Sequence, residues 1–450
     1  MKELIKSLVD VPTLRISLLI ALGIYTVLLV YNTNKNSKFA LDVERIFVFF
    51  VLFCLSKVNM AVLMHFNPAY LVEPPLNAVL ANLQVVILGF MILTLGSRTS
   101  HFFTKKMLPS LFMSGLKNPF FWTLILLSII SAFWSDTPLI TFKAGMVLVA
   151  LNLLSLYIVK QYDWLNLFWF LRWNLVLIAS LSMVIRTTTN GGGLAGITFA
   201  KNELGGMMAL SAVLWILQAI YESKHRWFAW GIVAFSVSVI LQAKSTGAQF
   251  IFLVLLALSA LTSFLKKLKS YYAVIVVASF LAISIIMYFV IEANLEHIVE
   301  ATGKDLTFTG RRQIWEDSWD AIQNRLWLGY GTYSFWQGWR GLDNPAKDWM
   351  SGFWMPPNSH QGFLDIWIEL GLIGLILFIA SLLLNLVQAV LKLTTAKGIE
   401  SILPLILVVC VIMTNLSESK CLRPNFFWTL YTLTAVKLSV DSKPLSTDKN

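Results

Sequence analysis

Apolar residues along this chain run in long blocks separated by short polar breaks, without a sustained alternation of period two. The blocks fall near residues 15–31, 45–65, 77–95, 119–134, 138–160, 165–185, 203–222, 227–242, 248–264, 271–291, 363–391, 401–416 and 423–438. Crossing a bilayer's hydrocarbon core takes about 20 residues of helix, and most blocks approach that length. Several are shorter and some are separated by only a few polar residues, which leaves room for hairpins or re-entrant segments. The pattern predicts an all-α, polytopic integral membrane protein with about twelve transmembrane helices. No small-residue cleavage site follows the first block, so it is expected to stay as a helix.

One stretch breaks the pattern. Between Glu292 and Gln361 the chain becomes polar and aromatic, with seven tryptophans from Trp315 to Trp354 interleaved with Arg311, Arg312, Arg325, Arg340, Asp343 and Lys347. Within it Ile314, Trp315, Trp319, Ile322 and Leu326 recur at helical spacing opposite Glu316, Asp317 and Asp320, which predicts an amphipathic helix ended by Gly329 and Gly331. The predicted organisation is a helical region over 1–291, a large outer loop over 292–361, further helices over 362–440 and a tail over 441–450.

Composition agrees: of 450 residues 57% are apolar and only 13% charged, and the mean hydropathy is +0.71. The net charge of +11 sits in clusters between apolar blocks (Lys224 to Arg226, Lys266 to Lys269, Lys392 with Lys397, Lys437 with Lys443), as in cytoplasmic loops of membrane proteins. They are not gathered on one exposed face, so no nucleic-acid partner is expected. The 186–202, 292–361 and 415–423 segments then share the opposite, outer side. Counting back through every block puts the N-terminus outside despite Lys2 and Lys6, so one early block is miscounted. Cys54, Cys410 and Cys421 have no metal-ligand spacing. No phosphate-binding loop, carboxylate pair at metal spacing or nucleophile elbow is present.

Candidate chemistry lies on the outer side. Arg311 and Arg312 open the amphipathic helix, where an anion such as a diphosphate would bind, or where Glu316, Asp317 or lipid phosphates would neutralise them. His360, in Pro356-Pro357-Asn358-Ser359-His360-Gln361-Gly362, can relay a proton near neutral pH, or simply hydrogen-bond at a helix start. Arg186 opens a glycine-rich turn that closes on Lys201, Asn202 and Glu203. Lys201 reads either as an interfacial anchor and Asn202 as a helix cap, or both as site residues. Lys244, Ser245 and Thr246 form a second polar turn, and Asn415, Ser417 and Glu418 a third; all three turns are candidates to line one outward cavity. Trp336, Trp339 and Trp354 are candidates to stack on sugars or to anchor the loop at the interface. Lys57 and Lys143 are the chief charges expected within the bilayer, too few for a charged-substrate transporter.

These segments resemble the O-antigen ligase and polysaccharide polymerase superfamily of bacterial membrane glycosyltransferases. The resemblance rests on Thr309-Gly310-Arg311-Arg312-Gln313-Ile314-Trp315, Gly329-Tyr330-Gly331, Asn358-Ser359-His360, Leu370-Gly371-Leu372-Ile373-Gly374-Leu375 and Lys201-Asn202-Glu203-Leu204-Gly205. It covers roughly residues 186–420, and Tyr333-Ser334-Phe335-Trp336 with Asn415-Leu416-Ser417-Glu418-Ser419 look most like the exopolysaccharide polymerase branch. Gln361-Gly362-Phe363 and Lys420-Cys421 depart from that branch. The resemblance implies a GT-C-like helical bundle in the bacterial inner membrane with its active site facing the periplasm. It implies metal- and cofactor-independent, inverting transfer of a polyprenyl-diphosphate-linked oligosaccharide, with membrane lipids and other polysaccharide assembly proteins, such as a chain-length regulator, as partners. Polymerase is the nearer implication, ligase the second and transporter the third. Carried over by position, His360, Arg311 and Glu418 take catalytic roles. Arg186, Lys201, Asn202, Arg312, Lys244, Asn358, Ser359 and Trp315 contact substrate.

Overall fold

A computed structural model describes residues 12–56, 95–189, 192–294, 310–346 and 356–441. Apart from an isolated bridge between Thr188 and Leu194, regular structure there is helical. Two compact units emerge, residues 1–54 with 68–109, and 55–67 with 110–450. The first holds α1 (Pro12–Lys35), α2 (Ser37–Leu55) and α3 (Gly96–His101). Its buried Glu44 carboxylate accepts a 2.5 Å hydrogen bond from Arg98 Nε, so a charge inside apolar helices is paired.

After α4 (Met107–Lys117), the second unit continues through α5 (Pro119–Ile130), α6 (Pro138–Gln161), α7 (Trp164–Val184), α8 (Lys201–Tyr221), α9 (Arg226–Ala243), α10 (Thr246–Leu265) and α11 (Ser270–Ala293). Then come α12 (Gly310–Asn324), α13 (Gly362–Thr395), α14 (Ile399–Ser417) and α15 (Phe426–Asp441). Among the described residues eight helices, α6 to α11 with α13 and α14, are long and apolar enough to cross a membrane, or nine if the bent pair Arg98–Lys117 and Pro119–Phe133 is one span. This is a polytopic all-α membrane protein. The block expected at 77–95, except for its last residue, and Lys57 lie outside the described residues. The block expected at 119–134 holds α5, which Asn118 caps and Pro119 opens, followed by a 3-10 turn over Ser131–Phe133.

Caps set the other breaks. Asp163 accepts from Asn166 N at 2.8 Å to start α7, Ser245 from Ala248 N at 3.2 Å to start α10, and left-handed Lys244 ends α9. Helices α8, α14 and α15 are buried along almost their whole length. Around them α9, α10, α11 and α13 bury one face and expose Leu253, Ile283, Ile286, Ile376 and Leu383 on the other, as helices against lipid do. The basic clusters that predicted a shared side meet at one end of this bundle: Lys392 and Lys437 reach Asp441, Lys266 lies over Tyr221, and Ser270 bonds Thr394. The polar turns meet at the other.

Helix α13 is broken at Gly371 (φ 67°, ψ −171°), and the break is how the loop is attached. A break orphans backbone groups that a bilayer will not satisfy. Here the amides of Tyr330 and Gly331 donate to the carbonyls of Ile368 and Glu369 at 2.9 and 2.8 Å, and the amide of Leu372 donates to Leu326 at 2.8 Å. Such close approach leaves no room for side chains: a Cβ on Gly371 would lie 2.1 Å from the Trp327 carbonyl oxygen, and one on Gly329 2.5 Å from that of Ile368. The amphipathic helix therefore ends at Asn324, before the glycines expected to terminate it, and those glycines dock the chain on α13. Trp336 and Leu326 pack with Ile322, Tyr330 and Phe335 against Ile368.

Gly371→Ala is expected to destabilise the purified protein by more than about 2 kcal/mol, since it meets both a left-handed backbone and a backbone clash. Gly231→Ala, in open space on α9, is expected to be neutral or stabilising by up to about 1 kcal/mol. Thermal denaturation in detergent measures both.

Candidate active site

Glu418 follows the last residue of α14 and is buried. Its Oε1 accepts hydrogen bonds from Asn202 Nδ2 at 2.5 Å and Arg311 Nη2 at 3.4 Å, and its Oε2 lies 3.7 Å from His360 Nδ1. Arg311 also stands 3.8 Å from Glu292 at the end of α11. These side chains come from α8, α11, α12, the segment before α13 and the end of α14, so five helix ends meet in one cluster. Asn202, Glu292, Arg311 and Glu418 border a cavity also lined by Ser245, Thr246, Tyr288 and Ser417, which brings the polar turns together.

Burial by itself would push the Glu418 carboxyl up. The contact with His360 and the charges of Lys420 and Arg311 outweigh it and hold the group down at about 2. Lys420 is 3.5 Å from buried Glu203, and although burial opposes its charge, Glu203 and Glu418 raise its pKa. One step further, Arg423 bonds Glu369 at 2.7 Å and lies over the Tyr333 ring; Glu369 above all raises its pKa against the effect of burial.

His360 sits on a left-handed turn (φ 57°), a conformation that a non-glycine residue holds only with support. Its own amide donates to Asn358 Oδ1 at 2.9 Å, Trp315 Nε1 donates to the Ser359 carbonyl at 2.9 Å, and the Ser359 amide donates to Asp365 Oδ1 at 3.1 Å. Among the described residues His360 Nδ1 has no hydrogen-bond partner, and it faces Glu418.

Of the residues singled out from sequence, Arg311, Glu418, His360 and Asn202 form the cluster, and Asn358, Ser359 and Trp315 shape the His360 turn. Asn202 does not cap α8, whose N-cap is Ala200; its amide serves Glu418. Arg186, Lys201 and Lys244 gather at the neighbouring 187–196 turn: Arg186 donates to Gln242 at 2.7 Å, while Cβ atoms built on Gly192 and Gly193 would lie 3.7 Å from Lys244 Nζ and 2.6 Å from Lys201 Cδ. The Arg312 and Trp339 side chains and Trp354 lie outside the described residues. Trp336 commits its indole N–H to Asp365 at 3.0 Å. Sequence reasoning passed over Glu292, Asp365 and Lys420; nothing but the polar run from Asn415 to Lys420 hinted at the last.

A family model described as O-antigen ligase matches residues 231–379. Over 85 residues the chain is 32% identical to the "Exopolysaccharide production protein ExoQ" of Rhizobium meliloti, covering 19% of this chain and 20% of that protein. Both matches support the O-antigen ligase and polysaccharide polymerase family. The chain thus spans about a fifth of the length of the curated relative it matches. The O-antigen ligase match takes in Arg311, the loop, His360 and the Gly371 break, whereas Asn202 and Glu418 lie outside it and join the site through the fold. Among the described residues no group of three His, Cys, Asp or Glu side chains is placed to hold a metal ion.

Glu418 titrates lower in the folded protein than its ordinary value of 4.5. Its charge therefore adds stability that is complete above about pH 4.5 and lost as pH falls toward 2. Glu418→Gln is expected to lower stability at neutral pH by roughly 3 kcal/mol, leaving Arg311 underpaired. It is also expected to flatten the fall in stability with acid over that window, measured by thermal denaturation across pH.

Proposed function

We propose that this protein transfers a polyprenyl-diphosphate-linked glycan on the outer face of a bacterial inner membrane, as a polymerase that joins lipid-linked repeat units. The observation that carries this reading is the pairing of His360 Nδ1 with a buried carboxylate that also holds Arg311. With Nδ1–H turned to Glu418, Nε2 is left to accept a proton. The acceptor hydroxyl oxygen attacks the anomeric carbon of the donor sugar while its proton passes to His360 Nε2. The bond from that carbon to the diphosphate oxygen breaks, the electron pair leaves with the diphosphate, and His360 afterwards returns the proton to water.

Glu418 is a poor base, since a carboxyl held at about 2 has little proton affinity near neutral pH. It orients the imidazole and stabilises the imidazolium that forms. Arg311 supplies fixed positive charge where the diphosphate departs, in the place a metal ion would otherwise take, with Arg186, Lys201 and Lys244 assisting from the glycine turn. The apolar helices around the cavity admit the prenyl tails from the bilayer. The match to a family described as O-antigen ligase favours a second reading, transfer to lipid A core, at the same site.

Purified protein given a lipid-linked oligosaccharide alone is expected to produce a ladder of longer glycans on a gel. His360→Ala and Arg311→Ala are each expected to reduce extension by about 100-fold or more. Product only when lipid A core is supplied establishes the ligase; no product with either acceptor from a matched donor overturns transfer in favour of transport.

A further inference from the structure

Asp365, in the first turn of α13, is buried and lies outside the proposed chemistry. Its Oδ1 accepts from the backbone amide of Ser359 at 3.1 Å and from Trp336 Nε1 at 3.0 Å, and its Oδ2 accepts from the Ser419 hydroxyl. Ser359 immediately precedes His360 and Ser419 immediately follows Glu418. One carboxylate therefore grips both arms that carry the facing pair, and it does so from a helix start, where negative charge is favoured.

The two arms differ in backbone. The His360 arm enters from the large loop in a left-handed turn, and the Glu418 arm leaves the end of α14 in extended backbone (φ −147°, ψ 150°). Neither is held by a continuous helix. We propose that Asp365 is a positioning residue that fixes the separation of His360 and Glu418 through Ser359 and Ser419. It touches no reacting atom; its effect on turnover rests on the transfer reading above, but its effect on the geometry does not.

The test uses full-length protein in detergent and two readouts. The first is the rate at which diethyl pyrocarbonate modifies His360, followed by peptide mass spectrometry without any glycan. The second is kcat and KM for extension of a lipid-linked oligosaccharide. Asp365→Ala is expected to speed His360 modification several-fold and to lower kcat by about 30-fold with KM within about twofold, since small misplacements of catalytic groups cost that much. Asp365→Asn is expected to restore both, because its amide oxygen can accept from Ser359 and Trp336 and its NH2 can donate to Ser419. Should Asp365→Ala not fold, Ser419→Ala, which removes one hydroxyl from the Glu418 arm, is expected to lower kcat about fivefold and raise His360 modification at least about twofold. Unchanged His360 modification in the folded variants overturns the proposal. If wild type extends no glycan, the transfer reading falls while the modification rates alone still decide the role of Asp365.

Discussion

A carboxylate buried where helix ends meet must be compensated, and in this protein that requirement gathers the site. Glu418 has little access to water, so its charge is held by the groups that come within reach: Asn202 from α8, Arg311 from α12 and His360 from the turn before α13. Arg311 in turn draws in Glu292 from α11, and Lys420 draws in Glu203 from α8. Because Arg311 is shared by Glu292 and Glu418, and Glu418 by Asn202, Arg311 and His360, the helix ends are coupled through electrostatics as well as through packing. The arrangement also sets an imidazole and a guanidinium against the two oxygens of one buried carboxylate.

The loop that delivers Arg311 and His360 is tied down by a second constraint, the need to satisfy backbone in an apolar setting. Breaking α13 at Gly371 frees carbonyls and amides that the segment from Leu326 to Gly331 then takes up. The loop is thereby registered on α13 rather than held at its two ends alone. His360, at the start of that same helix, inherits the register, and Asp365 one turn in connects it to the Glu418 arm.

The membrane class, most helices and the polar turns were legible because burial in lipid imposes long apolar blocks on the sequence. Arg311, His360 and Glu418 were legible as polar residues at the mouths of such blocks, sharpened by family resemblance. What escaped was set by contacts remote in sequence. Asn202 reads as a cap by position, yet its partner is 216 residues away. Asp365 looks like an ordinary acidic residue at a helix start, and nothing local says that it accepts from Ser359 and Ser419. The break at Gly371 was invisible because leucine and isoleucine continue unbroken around it, and only the φ value of that glycine separates a loop dock from a straight span. Half-buried Arg172, stacked on Phe168 and Trp215, was missed among intrabilayer charges for the same reason.

In the proposed reaction the leaving diphosphate meets Arg311 while the acceptor hydroxyl meets His360, on opposite sides of one anomeric carbon. A cryo-electron microscopy structure in a lipid nanodisc with a non-hydrolysable lipid-linked diphosphate sugar tests it most directly. Diphosphate density within hydrogen-bonding distance of Arg311, with the sugar carbon facing His360 Nε2, is the result predicted. Diphosphate bound away from the Glu418 cluster, at the opposite end of the bundle or midway along the helices, would contradict it.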